Sequence, residues 1–216
     1  MRQILVYGDS LSWGIIPNTR ERLEFFDRWP GVVERELQQR GHDVRVIEDC
    51  LNGRRTVWED PFKPGRNGLI GLEQRIEVHS PLSLVMILLG TNDFQTMHDF
   101  NARDSAQGLA CLVTAIRRAP IEPGLPFPEI LLIAPPKIRA ANGPMASKFA
   151  NAETKSEGLN EAIREVAEGN ECVFFDAGDV TDSSEVDGVH LDVEQHQTLG
   201  VALADKAASI LVDRSR

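Results

Sequence analysis

Ser10, Asp187 and His190 supply a hydroxyl, a carboxylate and an imidazole, the side-chain types from which a nucleophilic catalyst is built. A serine hydroxyl attacks a carbonyl carbon well only when a base takes its proton as the new bond forms. Imidazole titrates near neutrality and suits that task. Its second ring nitrogen needs an acceptor that fixes the tautomer and stabilises the imidazolium, and Asp187 lies three residues before His190, within reach inside one loop. Attack puts negative charge on the carbonyl oxygen, so fixed donors are also required, each worth roughly 10²–10³ in rate. Taken singly, each group has a plainer reading. Gly8-Asp9-Ser10 is also the pattern of a capped turn, Asn92 of a helix cap, and Asp187 with His190 of an exposed helix start.

Five short apolar runs must position these groups. Ile4, Leu5, Val6 and Tyr7 are too few for a helix and rich in strand formers, and Ser10 follows directly. In open α/β sheets the carboxyl edge of the strands is where ligands gather. A helix turn opening after Ser10 puts its hydroxyl beside backbone N–H groups that can stabilise an anion. Residues 84–89 form a second buried run, ending in Gly90-Thr91-Asn92-Asp93. Residues 44–47, 129–134 and 172–175 supply the remaining strands. Trp29, Val32, Val33 and Leu37 recur at helical spacing, and helices are also predicted over 69–78, 106–118, 155–168 and 195–212.

Strand and helix alternate about five times, and right-handed crossovers then give a parallel sheet covered on both faces. The expectation is an α/β protein, a flavodoxin-like three-layer α/β/α sandwich with a five-stranded parallel sheet of order 2-1-3-4-5. That order sets Ser10 and Asn92 at neighbouring strand ends. Residues 1–216 read as a single domain, since 42% hydrophobic and 26% charged residues suit one sizeable core.

Three blocks in order, Gly8-Asp9-Ser10-Leu11, Gly90-Thr91-Asn92-Asp93 and Asp187-Gly188-Val189-His190, resemble the motifs of the SGNH (GDSL-type) hydrolase family. Within it the chain is similar to the bacterial aryl esterase and acyltransferase branch typified by the mycobacterial enzyme. The likeness runs through Ser12-Trp13-Gly14, Leu51-Asn52-Gly53-Arg54-Arg55-Thr56, Leu88-Leu89-Gly90 and Phe174-Phe175-Asp176-Ala177-Gly178. The resemblance implies the SGNH hydrolase fold and a serine esterase acting through an acyl-enzyme on short-chain, chiefly acetyl, carboxylic esters of aryl alcohols or carbohydrates. Ser10, Asp187 and His190 would be its catalytic triad. The oxyanion hole would comprise the Ser10 N–H, the Gly53 N–H and the Asn92 amide, with glycine at position 53 leaving room for substrate. The branch also implies acyltransfer or perhydrolysis, and a homo-oligomer up to an octamer. Thioesterases and lysophospholipases of the same family are the alternatives.

Residues 54–68 have no period, and a structureless run of this size in a compact domain is usually functional. They are expected to shape the substrate mouth, with Trp58 one wall; Trp13 and Phe94 are the other substrate-binding candidates. A solvated loop or an oligomer contact is the competing reading. Loops at 17–27 and 137–147 border the same edge. Asp9, Asp93 and Asp176 read as structural, tying turns by accepting backbone N–H bonds. His98 has no Asp at motif spacing and reads as a surface histidine.

The net charge of −10 disfavours a nucleic acid or an anionic membrane surface as partner, and leaves a small-molecule ester. No apolar run approaches the ~18 residues of a membrane span, and residues 1–3 lead straight into a strand, as in a cytoplasmic protein. Cys50, Cys111 and Cys172 are spaced for neither disulfides nor zinc; all read as reduced, Cys111 and Cys172 as core. Neither phosphate-binding glycine motif nor His-Glu-x-x-His occurs, so no cofactor or metal is expected. Ser12 stands where the α/β-hydrolase elbow has its second glycine. Outside the enzymes, a flavin-binding module of this architecture would hold phosphate near Ser10 and Ser12, with no need for Asn92, Asp187 or His190.

Overall fold

The computed structural model describes residues 1–213. Its five strands are β1 (Arg2–Gly8), β2 (Val44–Cys50), β3 (Leu84–Leu88), β4 (Glu129–Ala134) and β5 (Val173–Asp176). They pair in parallel, as the alternation predicts, in the order β2-β1-β3-β4-β5 expected of a flavodoxin-like sandwich. Gly8 is in register with Cys50 on one side and Leu88 on the other, so three strands end at one level. The segments that follow them converge on one edge.

Successive strand residues face opposite layers. Leu5, Tyr7, Val85, Ile87 and Leu132 pack beneath α3 (Leu72–His79), α4 (Ala102–Arg118) and α6 (Leu159–Gly169). Ile4, Val6, Met86, Leu131 and Ile133 pack against α2 (Trp29–Gln39) and α7 (Val193–Asp213). Trp29, Val33 and Leu37 of α2 and Leu199, Leu203 and Ala207 of α7 are all fully buried, which sets the apolar stripe of each helix. Val201, off that stripe, is exposed.

Several boundaries differ from expectation. The helix predicted over 155–168 is two elements, a single turn α5 (Ala152–Lys155) and then α6, divided where Gly158 takes a left-handed φ of 80°. Helix α4 starts four residues early because Asn101 and Asp104 close a reciprocal capping box. Cys111 is exposed on α4 rather than in the core, since it lies off the stripe of Leu109, Leu112, Val113 and Ile116. Cys172 is half-buried. His98 is not a free surface group either: its ring stacks on Phe100, and burial, with Arg55 adding, draws its pKa below the usual histidine value. No helix among the described residues is long and apolar enough to cross a membrane.

Candidate active site

After Gly8 the chain turns through Asp9 into the single helical turn α1 (Ser10–Trp13). Asp9 caps that turn, its Oδ1 accepting the Leu11 N–H at 2.9 Å. Ser10 is left at the strand end, largely buried but open to a cleft. Its backbone N–H has no acceptor among the described residues.

The partner for its hydroxyl comes from the loop before α7. His190 Nε2 lies 3.1 Å from Ser10 Oγ, and His190 Nδ1 lies 2.6 Å from Asp187 Oδ2. A proton on Nδ1 bonds to the carboxylate and leaves Nε2 as the acceptor facing the serine. The other Asp187 oxygen accepts the Val189 and His190 backbone N–H groups, each at 2.9 Å. Burial alone would raise the Asp187 pKa. The hydrogen bond and charge of His190, together with those two N–H groups, hold it below the usual carboxylate value instead. The acid is an anion where an imidazolium would form.

Close packing fixes this loop. Gly188 has a φ of 77°, and a Cβ there would meet the Ala140 carbonyl at 2.6 Å. Arg139 and Asn142 donate backbone N–H bonds to the carbonyls of Gly188 and Asp187, so the 137–147 loop clamps the Asp–His pair.

Asn92 sits in a 3₁₀ turn (Thr91–Phe94) just past β3. Its amide donates to Asp9 Oδ2 at 2.8 Å, and its carbonyl accepts from Gln95 Nε2 at 2.6 Å. An amide nitrogen has two hydrogens, so one remains for a ligand in the cleft. Gly53 follows β2 with a φ of 83°, a conformation that L side chains rarely adopt, and its N–H also has no acceptor among the described residues. Ser10, Gly53, Asn92 and His190 all line one cleft of about 220 Å³. A larger hollow of about 630 Å³ runs along Pro135–Ile138 and the start of α6, and its lining includes no serine–histidine pair.

The expected aromatic walls are absent from this cleft. Trp58 stacks on Phe100 with centroids 4.1 Å apart, and the Trp13 ring lies under the Arg22 guanidinium. Phe94 is wholly buried in the α4 layer: with three residues per 3₁₀ turn, residues two apart point to different sides, so Asn92 reaches the cleft and Phe94 the core. The substrate-binding assignments of Trp13, Trp58 and Phe94 are therefore corrected. In their place the rim carries Arg20, Lys63, Met145 and Lys148, on loops too irregular to be placed from sequence.

Two buried arginines stabilise the floor, and sequence reasoning did not single out their role. Arg54 donates to the Gly8 carbonyl at 3.0 Å and to Asp49 Oδ1 at 2.6 Å, tying the β1 and β2 ends together beside Gly53. Arg55, with no exposed surface, pairs with Asp60 at 3.0 Å and donates to Gln95 Oε1 at 2.7 Å. A polar relay thus runs from Asp60 through Arg55 and Gln95 to Asn92 and Asp9. Their signal was the unexplained pair of arginines following Gly53. Burial raises the Asp9 pKa to about 6, with the Leu11 N–H, His190 and Asn92 opposing it. Cys50 is no rival nucleophile, because burial pushes its thiol pKa up and no histidine pairs with it. Among the described residues no three His, Cys, Asp or Glu side chains gather as metal ligands.

The chain belongs to the GDSL-like lipase/acylhydrolase family, whose model matches residues 6–198. The inhibitor-bound M. smegmatis aryl esterase superimposes with a TM-score of 0.92 at 34% identity, covering 98% of this chain and 100% of that one. A carbohydrate acetylesterase from Sinorhizobium meliloti matches at 0.91 and 32% identity, over 97% and 100% of the two chains. A lipase/acylhydrolase from Enterococcus faecalis, 19% identical with a TM-score of 0.69 over 97% and 96%, shares the fold. No curated protein sequence matches significantly.

Proposed function

We propose that this protein is a serine esterase that cleaves short-chain carboxylic esters, chiefly acetyl esters of aryl alcohols or sugars, through an acyl-enzyme. The observation that carries the reading is the unbroken contact from Asp187 through His190 to Ser10, at 2.6 and 3.1 Å, beside two unpaired backbone N–H groups. In the proposed reaction Ser10 Oγ attacks the carbonyl carbon while His190 Nε2 takes its proton. The oxygen's charge is met by the N–H groups of Ser10 and Gly53 and by the Asn92 amide. The carbon–oxygen bond to the alcohol then breaks, and His190 returns the proton to the leaving alcohol. Water repeats the attack on the acyl-serine and releases the acid. An alcohol or peroxide in place of water gives acyl transfer.

A short acyl group is supported by size. The cleft's 220 Å³ falls below the roughly 300–1,000 Å³ of sites for drug-sized ligands, which disfavours the long chains of a lysophospholipase or a long-chain thioesterase. The aryl esterase and acetylesterase activities of the two relatives support the same class. The test is turnover of p-nitrophenyl esters of increasing chain length by the wild type, Ser10→Ala and His190→Ala. Acetate as the best acyl group and loss of turnover in both variants are expected; undiminished turnover in Ser10→Ala overturns the reading.

A further inference from the structure

The chain carries a net charge of −10, yet the cleft around Ser10 is ringed by cations. Arg20, Lys63 and Lys148 line it from three separate loops, and all three are exposed. None of them is paired with a carboxylate among the described residues. Lys148 has only the Phe149 ring, 5.7 Å from its ammonium.

The acidic groups of the cleft are already committed. Asp187 is bound to His190 and two backbone N–H groups. Asp60 pairs with Arg55 and accepts the Phe62 and Lys63 backbone N–H groups. Once these carboxylates are matched to their partners, three positive charges remain at the rim. Like charges held together without counterions cost free energy: burial draws the Lys148 pKa down first, and the nearby Lys63 and Arg55 add to that shift. Burial, then Arg66 and Arg20, does the same to Lys63. Such a ring gains stability from an anion brought in by a ligand.

Geometry says which part of an ester would bring it. Ser10 and Asn92 lie at the nearly closed floor, where a short acyl group is held, and the alcohol portion must project towards the exposed rim. Resting on the esterase reading above, we infer that the preferred substrates are acetyl esters whose alcohol portion bears an anionic group such as a carboxylate. Acetylated aromatic acids and acetylated acidic sugars share that chemistry.

The test compares kcat/KM for acetate release within two matched pairs. One is 4-acetoxybenzoate against its neutral methyl ester; the other is an O-acetylated uronic acid against its neutral methyl ester. Wild type and the Lys63→Gln/Lys148→Gln double variant are assayed in low and high salt. The anionic-to-neutral ratio in the wild type should exceed that of the double variant by about tenfold in low salt. The excess should collapse between about 0.02 and about 0.5 M salt, where the Debye length shrinks to a few ångström. Dividing by the variant removes intrinsic differences between leaving groups. Preference in only one pair supports the inference and identifies the alcohol. Acetate release with equal, salt-insensitive ratios in both proteins overturns the inference and leaves the esterase reading standing. No acetate release from any ester by the wild type overturns the esterase reading itself.

Discussion

Gln95 Nε2 donates to Asn92 Oδ1 at 2.6 Å, which determines which end of the Asn92 amide faces Asp9 and the cleft. Gln95 is itself aligned by Arg55, whose guanidinium donates to its carbonyl at 2.7 Å. The proposed oxyanion donor is therefore positioned by residues lying behind it. Gln95→Glu keeps an acceptor for Arg55 and removes the donor to Asn92. It should lower kcat by about tenfold, a fraction of the roughly 10²–10³ associated with a whole donor, and leave KM nearly unchanged. A purely structural role would lower thermal stability with kcat preserved.

Asn92→Ala deletes the amide outright. A fall of about 10²–10³ in kcat for p-nitrophenyl acetate is expected. Asn92→Asp would place a second carboxylate beside Asp9 and should be no better. Full activity in the alanine variant would remove Asn92 from the oxyanion hole.

Asp187→Asn leaves shape intact but can present its N–H to the imidazole, favouring the wrong tautomer. The expected loss is on the order of 10⁴ in kcat with folding retained, by comparison with the serine protease triad. Rates within tenfold of wild type would show that His190 needs no carboxylate.

Arg55→Met removes the partner of Asp60, a residue of the cleft wall, and leaves Gln95 Oε1 behind the cleft without its donor. Breaking one side of a buried ion pair costs about 3–5 kcal/mol, measurable by urea denaturation. Arg55→Lys retains charge but not the two-armed geometry, and should recover only part of the loss.

Burial raises the Asp93 pKa from 3.8 to about 6, against hydrogen bonds from Ser105 and Thr56 that lower it. A folded-state pKa above the unfolded value means that this group's stabilisation is full below pH 3.8 and is lost as pH rises through about 6. Asp93→Asn abolishes that titration. Relative to wild type, the variant should therefore gain stability between about pH 4 and about pH 7, by up to about 3 kcal/mol for two pKa units. Parallel stability–pH curves for the two proteins would show that Asp93 does not titrate in that range.

Some of this was written locally in the chain. Leu84, Val85, Met86, Ile87 and Leu88 are apolar neighbours too few for a helix, and they form β3. Trp29, Val33 and Leu37 share one helical face and are buried on it. Such patterns are legible because a strand or a helix imposes its own period on the residues it buries. The covered parallel sheet follows from that alternation, whereas the strand order and the gathering of Ser10, Asn92 and His190 at one edge were expected from a flavodoxin-like topology and from the family resemblance.

The loops were not legible, because they have no period and their side chains answer to residues far along the chain. Trp58, the predicted wall, finds Phe100; Arg55, forty positions before Gln95, ends wholly buried beneath the site. Gly158 cut a predicted helix in two where its left-handed φ turned the chain. By itself, then, the sequence determined the covered parallel sheet and the reactive groups at its strand ends, since short-range periodicity and handed crossovers dictate the first and motif spacing marks the second; the strand order was the expectation of a flavodoxin-like topology. Only the tertiary structure decided which way Asn92 faces and that three cations ring the cleft of an acidic protein. Those features arise from contacts between distant segments, and such contacts exist only once the chain has packed.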